Sequence, residues 1–248
     1  MRLIKHFFSS FIALFIISGI LTSQALATGF YTAGNTGYDT SYPQGSNSAS
    51  YPATPFNFGV VGVTSGRAFD DNPYLSQQFA WAQQGNTTPP SLYMNLNAPV
   101  GLTVKGNTST PTQCSNKDKI CQAKNYGYNA AKHSYEYALS LTPSVTSSMW
   151  WLDIETGNNW SSNKSINAAA IEGALSFFTE HGIQAGVYSN TSSWDTIVGN
   201  NFIQAVPNWL AGNNSNPSGL CQSPFSINGS VYLVQYASGS FDADYACN

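Results

Sequence analysis

Met149-Trp150-Trp151-Leu152-Asp153-Ile154-Glu155 is the stretch on which the reading of this chain turns. Its apolar, β-prone residues predict a buried strand from Met149 to Ile154, with two acids at the strand's end. A strand alternates faces with a period of two, so Asp153 and Glu155 point to one side while Trp150, Leu152 and Ile154 point to the other. The two acidic Cα atoms then lie roughly 6.5 Å apart.

Outward from this strand, short apolar runs alternate with helical patterns. Further strands are predicted near Gly37 to Thr40, Phe58 to Val63, Leu92 to Leu96, Gln184 to Tyr188, Asn208 to Ala211 and Val231 to Tyr236. Helices are predicted over Tyr74 to Gln84, Cys121 to Leu141 and Ser165 to His181. In the last of these Ser165 caps the start, Ile166, Ala170, Ala174 and Phe177 form one stripe, and Gly182 stops the helix. Strand-helix alternation of this kind implies a mainly parallel sheet, and this many strands suit an α/β fold closed as an irregular TIM-like β/α barrel in one domain. Ala98 to Ile120, rich in Pro, Gly, Thr and Asn, reads as a long loop at a functional rim.

The chain opens with Arg2 and Lys5, an apolar run from Phe7 to Leu21 and the triplet Ala25-Leu26-Ala27, the pattern of a secretory leader. Residues 1–27 are therefore expected to be a signal peptide and residues 28–248 the mature domain, secreted to an extracellular or periplasmic space. Loss of Arg2 and Lys5 leaves seven cations against twelve anions, which gives no electrostatic footprint for a phosphate backbone. Nucleic acid is not expected as a partner, nor is a membrane after leader removal, and the chain is expected to act as a monomer.

All four cysteines, Cys114, Cys121, Cys221 and Cys247, fall in the mature part, where thiols oxidise. Four cysteines permit three pairings, and proximity favours Cys114 with Cys121 and Cys221 with Cys247. Neither spacing suits zinc, and no metal or cofactor is expected. His133 and His181 are the two histidines beyond the leader, and both fall in predicted helices. No H-E-x-x-H, G-x-S-x-G, P-loop or G-x-G-x-x-G occurs, which removes the usual zinc-protease, serine-hydrolase and nucleotide chemistries.

Carboxylates are what remain. In a parallel barrel the outward face packs on helices, and the inward face opens at the C-terminal mouth. Asp153 and Glu155 are thus expected to look into that mouth. Two close acids on an apolar strand repel, so one keeps its proton to higher pH, the poised state that glycosyl transfer needs. Asp39 ends the first predicted strand, and Asp242 and Asp244 end the chain's last one, so these acids are placed to converge on the same mouth. Trp160, Trp194, Trp209, Tyr93 and Tyr188 fall at strand ends or loops, where rings can stack on sugars.

With these residues in place, the chain resembles the muramidase-type lysozymes of glycoside hydrolase family 25. Gly37-Tyr38-Asp39-Thr40-Ser41-Tyr42-Pro43-Gln44 is similar to the family's opening G-x-D-x-S-x-x-Q, and Asp153-Ile154-Glu155 to its D-x-E. Phe58 to Gly66, Leu92-Tyr93, Gly186-Val187-Tyr188-Ser189, Pro207 to Ala211, Val234-Gln235-Tyr236 and Phe241-Asp242 follow in the family's order. The resemblance implies retaining cleavage of β-1,4 bonds in peptidoglycan or a related N-acetylated polysaccharide. It implies Glu155 as acid and base, with Asp153 assisting by stabilising an intermediate formed by the substrate's acetamido group. Asp39, Asp242 and Gln235 would line the site, and Tyr93, Tyr188 and Trp209 would hold sugar. Two segments depart from the pattern: Gly62-Val63-Thr64-Ser65-Gly66 stands where K-A-T-E-G is usual, and Tyr93-Met94-Asn95 where Y-H-F is frequent. These departures keep open a silent carbohydrate-binding barrel and a glycosidase for another glycan.

Overall fold

In the computed structural model, which describes residues 30–86, 89–98, 107–212 and 216–248, eight strands close a barrel in chain order. They are β1 (Thr36–Thr40), β2 (Phe58–Gly62), β3 (Ser91–Asn95), β4 (Trp150–Asp153), β5 (Ala185–Ser189), β6 (Pro207–Ala211), β7 (Ser230–Ser238) and β8 (Phe241–Ala246). The helices are α1 (Leu75–Ala82), α2 (Lys119–Leu141), α3 (Lys164–Glu180) and α4 (Thr191–Ile197). β1 to β7 run parallel, as expected. The proposed leader and part of the long loop, residues 99–106, lie outside the described residues.

The closing strand is a correction. Val231 to Tyr236 is not the last strand: Phe241–Ala246 forms an eighth, antiparallel to both β7 and β1. Gly239, at φ 65°, turns the chain in the two-residue link between Ser238 and Phe241. A left-handed φ costs glycine nothing, which lets the tight hairpin form. Because β8 runs back down the barrel, Asp242 and Asp244 share a face but sit at different depths.

Side-chain alternation divides the core in two. Phe58, Val60, Met149, Trp151, Trp209 and Leu233 fill the barrel interior with Tyr31. Trp150, Leu152 and Ile154 point outward into a larger cluster shared with the helices, where Trp150 lies 5.0 Å from the Phe178 ring. That split is the one the period of two predicts for β4.

Helices α2 and α3 pack backbone to backbone. A Cβ on Gly127 would stand 1.7 Å from the Ala170 carbonyl oxygen, and one on Gly173 would stand 1.9 Å from that of Lys124. Only glycine permits this approach. The start of α3 differs from expectation: Asn163, not Ser165, caps it, its side chain accepting from the Ser165 amide at 3.0 Å. Gly182, at φ 68°, ends it as predicted.

Both favoured disulfides are present, Cys114–Cys121 and Cys221–Cys247. The first fastens the described end of the long loop to α2, where the Asn125 amide also donates to the carbonyls of Asn107 (2.8 Å) and Thr112 (2.6 Å). The second joins the loop after β6 to the chain end. Among the described residues no helix is long and apolar enough to cross a membrane.

Candidate active site

Strands β1 to β7 deliver their C-terminal ends to one mouth, and the acids gather there. Asp153, on the last residue of β4, is 5% exposed, and Glu155, two residues on, is half-buried above it. The chain stays extended between them because the Ile154 amide donates to the Tyr188 carbonyl at 2.9 Å. Asp39 enters from β1. The register that pairs Gly37 with Asp244 and Tyr38 with Ala243 brings Asp39 level with Asp242. Asp242 is exposed at the rim, whereas Asp244 is fully buried one layer down.

A chain of side-chain hydrogen bonds crosses the mouth. The Tyr188 hydroxyl donates to Gln235 Oε1 at 2.7 Å, and Gln235 Nε2 donates to Asp39 Oδ2 at 2.9 Å. The Gln235 amide is thereby oriented, with its nitrogen toward the acid. Below it, Trp209 Nε1 donates to Asp244 Oδ1 at 2.7 Å. Trp209 is 2% exposed and packs edge-on against Tyr188 (4.6 Å) and Tyr93 (5.9 Å). Its indole is the floor of the mouth, which corrects its expected place as a sugar-stacking ring. The correction has a simple cause, since Trp209 and Trp151 point inward at similar depth and fill the barrel. Trp194 is also core, against Phe202 and Phe225. Tyr93, Tyr188 and Trp160 remain partly exposed.

Asp153 is held from the neighbouring strand. Parallel register sets Asn95 beside it, and Asn95 Nδ2 donates to Asp153 Oδ2. Thr64 fixes that amide: its hydroxyl donates to Asn95 Oδ1 at 2.8 Å, and its Oγ1 accepts from the Asn95 backbone N–H at 3.0 Å. Asn158 Nδ2 donates to the Asp153 carbonyl at 3.3 Å, and Trp160 Nε1 to the Glu155 carbonyl at 2.7 Å. Asp153 Oδ1 is buried with no hydrogen-bond partner among the described residues.

The two departures from the family pattern acquire physical reasons here. A Cβ at Gly62 would stand 2.8 Å from Tyr93 Cζ, so the Tyr93 ring occupies the space a longer side chain would need. Thr64 and Asn95 form the clamp on Asp153. Neither was singled out as a site residue from the sequence, because only cross-strand register brings them to the acid.

Burial dominates the electrostatics. It holds the Asp153 carboxyl well above the usual carboxylate range, and the charges of Glu155 and Asp39 add to the effect. It raises Glu155 as well. Asp39 is pushed up to about 8, by burial first and then by Asp242, with the Gln235 hydrogen bond opposing. Asp244 is also held well above its ordinary value by burial and then by Asp39, against the Trp209 hydrogen bond. A cluster of this kind keeps protons at neutral pH, which suits an acid that must deliver one. The histidines stay out of it: His133 Nε2 meets Asp71 at 2.9 Å, and His181 Nδ1 meets the Phe177 carbonyl at 2.7 Å. Among the described residues no group of three or more His, Cys, Asp or Glu is arranged to hold a metal ion.

β/α barrels carry their functional side chains at the C-terminal mouth, which is where the paired acids of this chain lie. Residues 118–226 match the family model described as Lysozyme-like protein 1. The chain is 36% identical over 70 residues to "Probable GH family 25 lysozyme 3" of Dictyostelium discoideum, covering 27% of this chain and 15% of that protein. It is 37% identical over 89 residues to "Probable GH family 25 lysozyme 2" of the same organism, covering 36% of this chain and 42% of that protein. The chain thus spans less than half the length of either relative.

Its fold is that of the muramidase from Acremonium alcalophilum, with a TM-score of 0.53 at 17% identity over 86% of this chain and 94% of that one. The modular Cpl-1 endolysin, solved with a peptidoglycan analogue, gives 0.54 at 17% identity over 88% of this chain and 55% of that one. Over residues 118–226 the chain is thus similar to a lysozyme-like family model, and to the solved muramidase and endolysin it is similar in fold.

Proposed function

We propose that this protein is a secreted muramidase-like glycoside hydrolase, cleaving β-1,4 bonds of peptidoglycan or a closely related N-acetylated glycan with retention. The observation that carries the reading is the pairing of a buried Asp153 with a half-buried Glu155 at the open end of the barrel. The relatives named as lysozymes and the endolysin solved with a peptidoglycan analogue support the substrate class.

Glu155 is the proton donor: it is accessible from the mouth, and burial keeps it protonated to higher pH than a free glutamate. Asp153 lies deeper, where the Asn95 amide fixes one oxygen and leaves Oδ1 able to accept an N–H. That oxygen suits an acetamido N–H, whose carbonyl oxygen would then attack the anomeric carbon as the leaving oxygen takes the proton of Glu155. The resulting carboxylate of Glu155 would then deprotonate the attacking water. Asp39, Gln235, Tyr188 and Tyr93 shape the pocket, and Asp242 lies at its rim. Secretion is supported by the leader-like first 27 residues and by the disulfides.

The test is release of reducing ends from purified peptidoglycan by wild type and by Glu155→Gln. The variant should fold normally and lose at least about a thousandfold in rate, more than a single general acid or base step typically contributes at its lower bound. A wild-type protein that releases nothing from peptidoglycan or chitin-like polymers, yet binds them, replaces this reading with a binding barrel.

A further inference from the structure

Beside the acids, and not over them, lies a cleft of about 400 Å³. Its walls come from three loops at the mouth: Gly66, Arg67 and Ala68 after β2, Asn95 and Asn97 at the end of β3, and Asn158 and Asn159 after β4. No acid lines it. This is a sharp change of character within a few residues, because the adjoining mouth holds Asp39, Asp153, Glu155, Asp242 and Asp244.

The cleft is built, and its hydrogen-bond donors are directed. Arg67 rides on a pinned hairpin, in which Thr64 bridges Asp71, the Ser65 amide donates to the Asp70 carbonyl at 2.8 Å, and the Ser65 hydroxyl donates to the Asp71 carbonyl at 2.7 Å. The nearest acids on that hairpin do not neutralise it: Asp71 takes His133, and neither Asp70 nor Asp71 forms an ion pair with Arg67. The guanidinium is exposed and has no hydrogen-bond or ionic partner among the described residues. On the opposite wall the Tyr126 hydroxyl donates to Asn97 Oδ1, which leaves the Asn97 Nδ2 donors without a partner among the described residues. The Ala98 amide donates to the Asn159 carbonyl at 3.1 Å, tying the other two loops together.

Among the described residues, the mouth beside the cleft offers a substrate anion carboxyl groups and no cation, whereas the cleft offers the Arg67 guanidinium. We propose that the cleft is a subsite for a carboxylate-bearing substituent of the glycan, with Arg67 supplying the charge and Asn97 a directed N–H. Asn95 belongs both to the cleft wall and to the clamp on Asp153, so a sugar ring over Asp153 and Glu155 places a substituent there. The inference deepens the glycosidase reading and rests on it for the placement of the sugar. The carboxylate belongs either to an acidic ether on the sugar or to a peptide attached through it.

Binding distinguishes these sources, measured by calorimetry in the mature Glu155→Gln protein to prevent turnover. The probes are a peptide-free tetrasaccharide alternating N-acetylglucosamine with N-acetylmuramic acid, its methyl ester, and the peptide-bearing tetrasaccharide with free or amidated peptide carboxyls. The expected result is tighter binding of the free acid by about tenfold in one of the two pairs, reduced to less than about twofold by Arg67→Gln and partly kept by Arg67→Lys. Asn97→Asp, which places an anion in the cleft, should abolish or invert the preference. Equal binding of acid and neutral probes in both pairs overturns the proposal, as does a preference that survives Arg67→Gln. Failure of the wild type to cut any glycan counts against the enzymatic reading alone, since the acid preference is read without catalysis.

Discussion

Asn95 and Asp153 stand side by side on adjacent parallel strands, and the Asn95 amide donates to the Asp153 carboxyl from an orientation that Thr64 dictates. The Thr64 hydroxyl holds the amide oxygen, so only the nitrogen can face the acid. The pair therefore fixes the position of a carboxyl that burial would otherwise leave poorly satisfied.

Removing this clamp should affect rate more than affinity. Asn95→Ala is expected to lower kcat by about tenfold to a hundredfold, in line with the roughly 1–3 kcal/mol that leaving a buried polar group unsatisfied costs. Thr64→Val should give a smaller loss in the same direction. Steady-state kinetics on soluble glycan fragments check this, and a KM change with unaltered kcat would contradict it.

Stability should depend on pH in an unusual direction for a carboxyl. Asp39 titrates in the folded state at about 8, above its unfolded value of 3.8. Its contribution is fully present below 3.8 and is lost as pH rises through about 8. Asp153 and Asp244 are shifted the same way and add to the slope. Melting temperature should therefore fall between mildly acidic and mildly alkaline pH, and Asp39→Asn should flatten the curve. A melting temperature that rises over the same interval, in wild type, sinks the idea.

The α2–α3 seam should tolerate no side chain. Gly127→Ala drives a methyl into the Ala170 carbonyl, and overpacking of this kind costs about 3 kcal/mol. Gly34→Ala, where a Cβ would meet nothing within 4 Å, isolates the effect of backbone conformation, since Gly34 also has φ 85°. Denaturant midpoints of the two variants compare packing with strain.

Opening Cys221–Cys247 by the double change to serine should lower stability by about 3 kcal/mol, from the loop-closure entropy of a 26-residue separation. Urea unfolding of the variant measures it. Reducing-end release at low temperature should be retained, because neither cysteine lines the mouth.

What was legible in the sequence followed from local rules. The period of two placed Asp153 and Glu155 inward and Trp150, Leu152 and Ile154 outward, and Gly182 marked the end of α3. What was not legible needed information from a second segment. Asn95 became relevant only through the register of β3 on β4. The direction of β8 depended on a two-residue turn at Gly239, and the depth of Asp244 followed from that direction. Trp209 could not be told from a binding ring until the barrel's interior volume was known to be filled by it. Gly127 inside a helix read as a weak helix former, whereas it marks where two backbones touch.

The closing hairpin returns the chain to the end of the barrel opposite the acids, where the Cys247 amide donates to the Tyr232 carbonyl at 2.8 Å near the start of β7. A tether joined to Asn248 would leave from that far end. Protein immobilised this way would turn its mouth toward the solution, an orientation suited to reading activity against an insoluble wall.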